Sequence, residues 1–194
     1  MTTPLAAPTP PDSERDAAIQ AEVTRWLERA VIGLNLCPFA KGVHVKGQIR
    51  YVTEADQAVE SLLVRLEAEL TALVAADPDK IDTTLLIYPY ALEDFAAFND
   101  FVTLAEITLA SLGLRGILQI ASFHPAYQFE GAAPDAIENY TNRAPYPILH
   151  LLREASIDRA VAAVSDAADI YERNEATMRM LGHAGWRRLW DPAS

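Results

Sequence analysis

Strands and helices alternate through the middle of this chain. That order predicts an α/β (or α+β) domain: a β-α-β-α-β core with an at least partly parallel sheet, an N-terminal helix and a helical C-terminal third. Two observations carry the prediction. Short apolar, β-branched runs at 49–52 (IRYV), 83–88 (TTLLIY) and 115–123 (RGILQIASF) are bounded by turn residues, as buried strands are. Between them lie two long segments whose apolar residues recur at helical spacing, which suits strands covered on both faces and joined by helical crossovers. Strand order is invisible at this level, so ferredoxin-like and other α+β layouts stay open.

Each element has a local reason. Residues 1–12, MTTPLAAPTPPD, read as a disordered leader, and 13–194 as a single globular domain. Ser13 with Asp16 opens a helix whose stripe is Ile19, Val23, Trp26, Leu27, Ala30, Val31 and Leu34, and Pro38 stops it. AKGVHVKG (40–47) is a basic, glycine-punctuated loop. Thr53 and Asp56 form a capping box for the second helix, which turns Leu62, Leu66, Leu70 and Leu73 inward. The third helix carries Phe95, Phe98, Phe101, Ala105 and Leu109, and Gly113 closes it. After the third strand, Pro147 suits the first turn of a short helix to about Ala155. Ser156 caps another helix with Ile157, Val161 and Val164 inside, and one more runs from about Ala168 to Leu181, closed by Gly182. The tail GWRRLW docks its tryptophans on the body.

At 51% hydrophobic the chain can bury a real core, and its formal charge of −11 argues against nucleic acid and anionic membrane as partners. No run of about 18 apolar residues is present, so no membrane span is expected. The leader lacks the basic start and apolar core of a signal peptide. A lone cysteine, Cys37, cannot form an internal disulfide and suits a reducing cytoplasm. A soluble, cytoplasmic protein is expected.

The stretch 122–154, SFHPAYQFEGAAPDAIENYTNRAPYPILHLLRE, draws the chemistry. It holds two of the four histidines and is too aromatic to read as disordered. His124 follows the third strand, where ligands of open sheets gather, and could be a general base, a metal ligand or a structural ring. His150, Arg153 and Glu154 share one face of the predicted helix, whose start beyond Arg143 could hold an anion or form only a solvated ion-pair face. Cys37, near Lys41 and Lys46, is either an activated nucleophile or, between Leu36 and Phe39, core. Cys37, His124 and His150 are also the candidate ligands for zinc or iron, although none lies in a local ligand pair. No glycine-rich phosphate loop is present, so no nucleotide cofactor is expected.

GLNLCPFAKG, TTLLIYP, LQIASFHPAYQFEG and NYTNRAPYPILHLLREASI together resemble a bacterial family of uncharacterised proteins, the domain-of-unknown-function family 1415, from about Val23 to Trp190. The resemblance implies no reaction. Its signature blocks correspond to Asn35, Cys37, Pro38, Phe39, His124, Pro125, Tyr127, Gln128, Asn142, Arg143, Pro145, Pro147, His150, Arg153 and Glu154. His44 and His183 fall outside them.

Two functional expectations follow. In the first, an enzyme uses Cys37, His124 and His150 on a small anionic molecule, by acyl- or thiol-type transfer or metal-assisted hydrolysis. Asn35, Tyr127, Gln128, Tyr140, Asn142, Arg143 and Arg153 then bind the substrate, the two arginines as charge clamps. In the second, a non-catalytic metal- or ligand-binding protein keeps Cys37 and the histidines structural, and the tryptophan tail or the Phe95/Phe98/Phe101 face forms a homodimer. Convergence of Cys37, His124 and His150 separates the two.

Overall fold

The computed structural model describes residues 12–162 and 167–191; apart from Asp12, the expected leader lies outside them. Helix α1 (Asp12–Trp26) runs straight into a π-helical turn, Leu27–Ile32, and its predicted stripe from Ile19 to Val31 is buried. A six-residue helix, α2 (Ala40–Val45), leads to β1 (Ile49–Thr53). There follow α3 (Val59–Ala75), β2 (Thr83–Ile87), α4 (Phe95–Ser111) and β3 (Leu118–Phe123) in the predicted alternation. Asp94 caps α4 by accepting from the Ala97 amide, and Gly113 beyond its end has φ +71°. The start of α3 differs from expectation. Thr53 is the last residue of β1, and Asp56 accepts instead from the amides of Gln57 and Ala58 (2.7 and 3.0 Å), which delays the helix to Val59.

The segment 148–153 also corrects the sequence reading. It is strand β4 (Ile148–Arg153), not a helix, and it pairs antiparallel with both β2 and β3. The sheet order is β1-β2-β4-β3, mixed, with β1 and β2 parallel. A short apolar run does not reveal its own period, and β4 is apolar on both sides because helices cover both faces of the sheet. Pro147 extends the ladder, its carbonyl accepting from the Tyr88 amide at 3.0 Å. The helix α5 (Glu154–Ala162) begins directly after β4 and before the expected cap, so Ser156 lies inside it, and Val164 lies outside the described residues. Helix α6 (Ala167–Arg188) is kinked at Gly182 (φ 60°, ψ 172°), where the sequence puts its stop.

On one face of the sheet, α3 and α4 press Leu62, Leu66, Leu70, Leu73, Phe98, Phe101 and Leu109 onto Val52, Leu86, Leu118, Leu149 and Leu151. Each such side chain, fully buried, stabilises the fold by about 1.5–3 kcal/mol. On the other face, α1, the π turn and α2 cover Leu85, Ile87, Ile148 and Leu152, and Trp186 of the tail packs there as predicted. Among the described residues no helix is long and apolar enough to cross a membrane.

Arg153 ends β4 on the α3 side of the sheet. Its guanidinium donates to the carbonyls of Leu73, Ala76 (2.8 Å) and Ile81 (3.3 Å), closing the C-terminus of α3, and its Nε stands 3.6 Å from Asp82. At 14% exposure this cation is a helix cap and is unavailable as a substrate clamp. Replacing Arg153 with Met should cost about 2–4 kcal/mol, since buried carbonyls lose their donor and the Asp82 carboxylate loses its cation. Urea denaturation measures it, and an unchanged midpoint would refute the capping role.

Candidate functional site

Cys37 is delivered by the way α1 ends. The π turn closes with i→i−5 bonds, Gly33 N to Glu28 O and Leu36 N to Val31 O, both 2.9 Å. A Cβ at Gly33 would meet the Arg29 carbonyl oxygen at 2.3 Å, so only glycine fits this turn. Asn35 then takes φ 54°, a left-handed conformation that asparagine tolerates, and it is exposed. Expected among the substrate-binding residues, Asn35 serves here as the helix stop. The next residues, Leu36 and Cys37, turn inward. Burial pushes the Cys37 thiol above its ordinary pKa, while the Phe39 and Ala40 amides directed at the sulfur pull it back.

His150 approaches from β4 on the same side of the sheet. The Thr83 hydroxyl donates to the Leu151 carbonyl (2.6 Å), so it can only accept from His150 Nε2–H (2.7 Å). That fixes the tautomer and leaves Nδ1 with no bond to another described residue. Burial lowers the His150 pKa to about 4. Cys37 and His150 line one cavity of about 40 Å³, walled by Trp26, Phe39, Leu85 and Phe123 and large enough for at least one water. Cys37 also lines a second, more open cleft of about 240 Å³ with Asn142, Asn174, Thr141 and Glu138. The thiol thus stands between an outer cleft and an inner imidazole.

The third expected member does not converge. His124 is 1% exposed and packs against Phe95 and Phe98 of α4, ring centroids 5.2 and 5.0 Å away. Its Nδ1 accepts from the Ala126 amide (3.0 Å), and its Nε2 donates to the Leu92 carbonyl (3.0 Å). With both nitrogens committed to the main chain it is neither a free base nor a ligand, and burial lowers its pKa. Cys37, His124 and His150 therefore cannot share one ion; among the described residues no three His, Cys, Asp or Glu side chains are grouped for a metal.

Most of the expected binding residues organise the 124–147 loop instead. Arg143 donates to the Tyr127 and Pro134 carbonyls (3.3 and 2.7 Å) and lies 4.0 Å over the Tyr140 ring. Gln128 donates to the Ala132 carbonyl at 2.6 Å, and Tyr127 packs on Phe95 and Phe129. Asn142 donates to the Ser122 carbonyl (3.2 Å) yet still borders the Cys37 cleft.

Three polar residues around the site carry no sequence motif. Thr83 orients His150, and its sole signal is a hydroxyl at the start of a fully buried strand. Asn139 is 0% exposed and ties the loop through Phe129 N and Ala133 O (3.0 and 2.8 Å). Asn174 on α6 donates to the Leu36 carbonyl (2.8 Å), holding the cysteine turn, while its buried Oδ1 lacks a partner and borders the cleft. An asparagine amid the helix formers of α6 is the only trace it leaves in the sequence.

A family model described as "Protein of unknown function (DUF1415)" matches residues 18–188, a span reaching from α1 to the end of α6. The chain belongs to that family. No curated protein and no solved structure matches it. Membership in DUF1415 assigns no chemistry, so the geometry alone bears on function.

Burial of a neutral His150 has a thermodynamic signature. Its folded pKa, about 4, lies below the ordinary 6.5, so the unfolded chain binds the proton first. The fold should lose about 3 kcal/mol from this group as pH falls from 6.5 to 4, with no loss from it above that window. Denaturation at stepped pH should be flatter across this window for His150→Asn than for the wild type; equal slopes would contradict the buried neutral ring.

Proposed function

We propose that this DUF1415 chain is an acyl- or thiol-transfer enzyme in which Cys37 is the nucleophile and His150 its general base. The observation that carries the reading is the shared cavity, which Cys37 and a partly buried imidazole without a partner at Nδ1 both line. A nucleophile with a base at hand, the base oriented by a third group, is the arrangement such chemistry needs, and Thr83 is that third group.

As the Cys37 sulfur attacks a carbonyl carbon held in the outer cleft, its proton passes to His150 Nδ1 through a water in the cavity that both residues line. The Phe39 and Ala40 amides receive the negative charge developing on sulfur. Collapse of the adduct expels the leaving group, which takes the proton back from the imidazolium, and a thioester remains on Cys37. Water or an acceptor then attacks the thioester carbonyl, giving its proton to Nδ1; the C–S bond breaks, the acyl product leaves, and the sulfur takes that proton back as the thiol. Burial keeps both groups neutral at rest, so attack and proton transfer are concerted.

The cleft favours an uncharged acyl donor. Glu138 and Glu175 stand on its wall with Arg179 bridging them (3.1 and 3.0 Å), and neither Arg143 nor Arg153 borders it. The non-catalytic alternative draws on the same neutral thiol, since a resting Cys37 with a raised pKa is also what a simple wall residue has.

Intact-mass spectrometry after exposure to p-nitrophenyl acetate separates the two. The wild type should gain one acetyl group at Cys37, Cys37→Ala none, and His150→Asn should acylate about 10²–10⁴-fold more slowly. Equal rates in wild type and His150→Asn would remove the catalytic pair and leave the binding reading.

A further inference from the structure

A concave surface with aromatic walls lies away from the thiol. Trp26, Tyr140, Trp186 and Trp190, with Pro125 and Pro145, enclose about 370 Å³ between α1, the 124–147 loop and the end of α6. This is within the range of pockets for small organic ligands. Its rings stand edge to face: Tyr140 to Trp186 at 5.2 Å and 71°, Trp186 to Trp190 at 5.5 Å and 72°. They leave flat, partly exposed walls rather than a filled core.

The polar atoms at this pocket are mostly donors. Arg25 on the wall has no hydrogen bond or ion pair with another described residue. The indole N–H groups of Trp186 and Trp190 and the Tyr140 hydroxyl likewise have no partner among the described residues. Trp26 differs, donating to the Arg143 carbonyl at 2.8 Å. One carboxylate, Glu22, reaches the rim and accepts from the Tyr146 hydroxyl. Two guanidiniums, Arg25 and Arg143, against one carboxylate leave the pocket locally positive on a chain of formal charge −11.

We propose that this pocket is a binding site for a small aromatic carboxylate, its ring held between the tryptophan and tyrosine walls and its carboxylate paired with Arg25. Flat apolar walls select a planar ring. Free donors and a net positive charge select an anion over an amine. Arg143 acts indirectly, since its side chain is pinned to the loop and supports Tyr140 by stacking. The inference is independent of the Cys37 chemistry, because Cys37 and His150 do not border this pocket.

Calorimetric titration of the full chain with naphthoate, naphthamide and naphthylmethylamine tests it. Naphthoate should bind saturably and tightest, and Arg25→Gln should weaken it by at least about tenfold while leaving naphthamide unchanged. Trp190→Ala, at a position 37% exposed, should weaken both without unfolding the chain. Cys37→Ser should bind naphthoate like the wild type. The proposal is overturned if naphthoate does not bind saturably, if Arg25→Gln binds it unchanged, or if the amine binds tighter than the carboxylate.

Discussion

Strand β4 enters the sheet antiparallel between β2 and β3, and its hydrogen bonds on both edges are the constraint on which the rest of the molecule depends. Alternation along a strand sends neighbours to opposite faces. Leu149, Leu151 and Arg153 therefore meet α3 and α4, while Ile148, His150 and Leu152 meet the α1–α2 side. A one-residue slip of β4 would bury the guanidinium beneath α1 and turn the imidazole against α3. Register in this strand thus sets helix capping on one face and the lining of the Cys37 cavity on the other.

How legible this was depended on whether a segment's partners were local. The stripes of α1, α3 and α4 follow from spacing, and Asp94, Gly113 and Gly182 mark ends that their own backbone requires. In 148–153 the apolar run and the i, i+3, i+4 placing of His150, Arg153 and Glu154 fit a helix equally well, and pairing with two distant strands decided it. Of the candidate site, the geometry was half legible. Cys37 and His150 stood out by chemistry and do share a cavity. His124 stood out for the same reason, but its nitrogens meet main-chain atoms at Leu92 and Ala126. Arg143 and Arg153 were expected as charge clamps, and their partners are carbonyls, which leave no mark in a sequence. Asn174 was invisible because its role arises from the contact of α6 with a turn 138 residues away.

Electrostatics and packing pull in opposite directions at Cys37. Desolvation favours the uncharged thiol and imidazole, and the same low-dielectric surroundings strengthen any charge separation that two directed amides can receive. The elements that hold this balance are few. Asn174 holds the Leu36 carbonyl from outside, Thr83 holds the imidazole from beneath, and Phe123 closes the space between. Because α6 also grips the loop through Arg179 to Glu138 and through His183 to the Asp135 carbonyl (2.8 Å), the outer cleft and the aromatic pocket share one helix as a wall.

The π turn at Leu27–Ile32 has an arithmetic consequence. A π turn holds one residue more than an α-helix would use over the same length, so the chain here carries a single-residue surplus. Removing one residue from this turn would let α1 run on as an ordinary helix over the same length, without the wide i→i−5 ring that ends at Gly33. The need for glycine at position 33, just before the thiol, thus comes from the count of residues in the turn as much as from their identities.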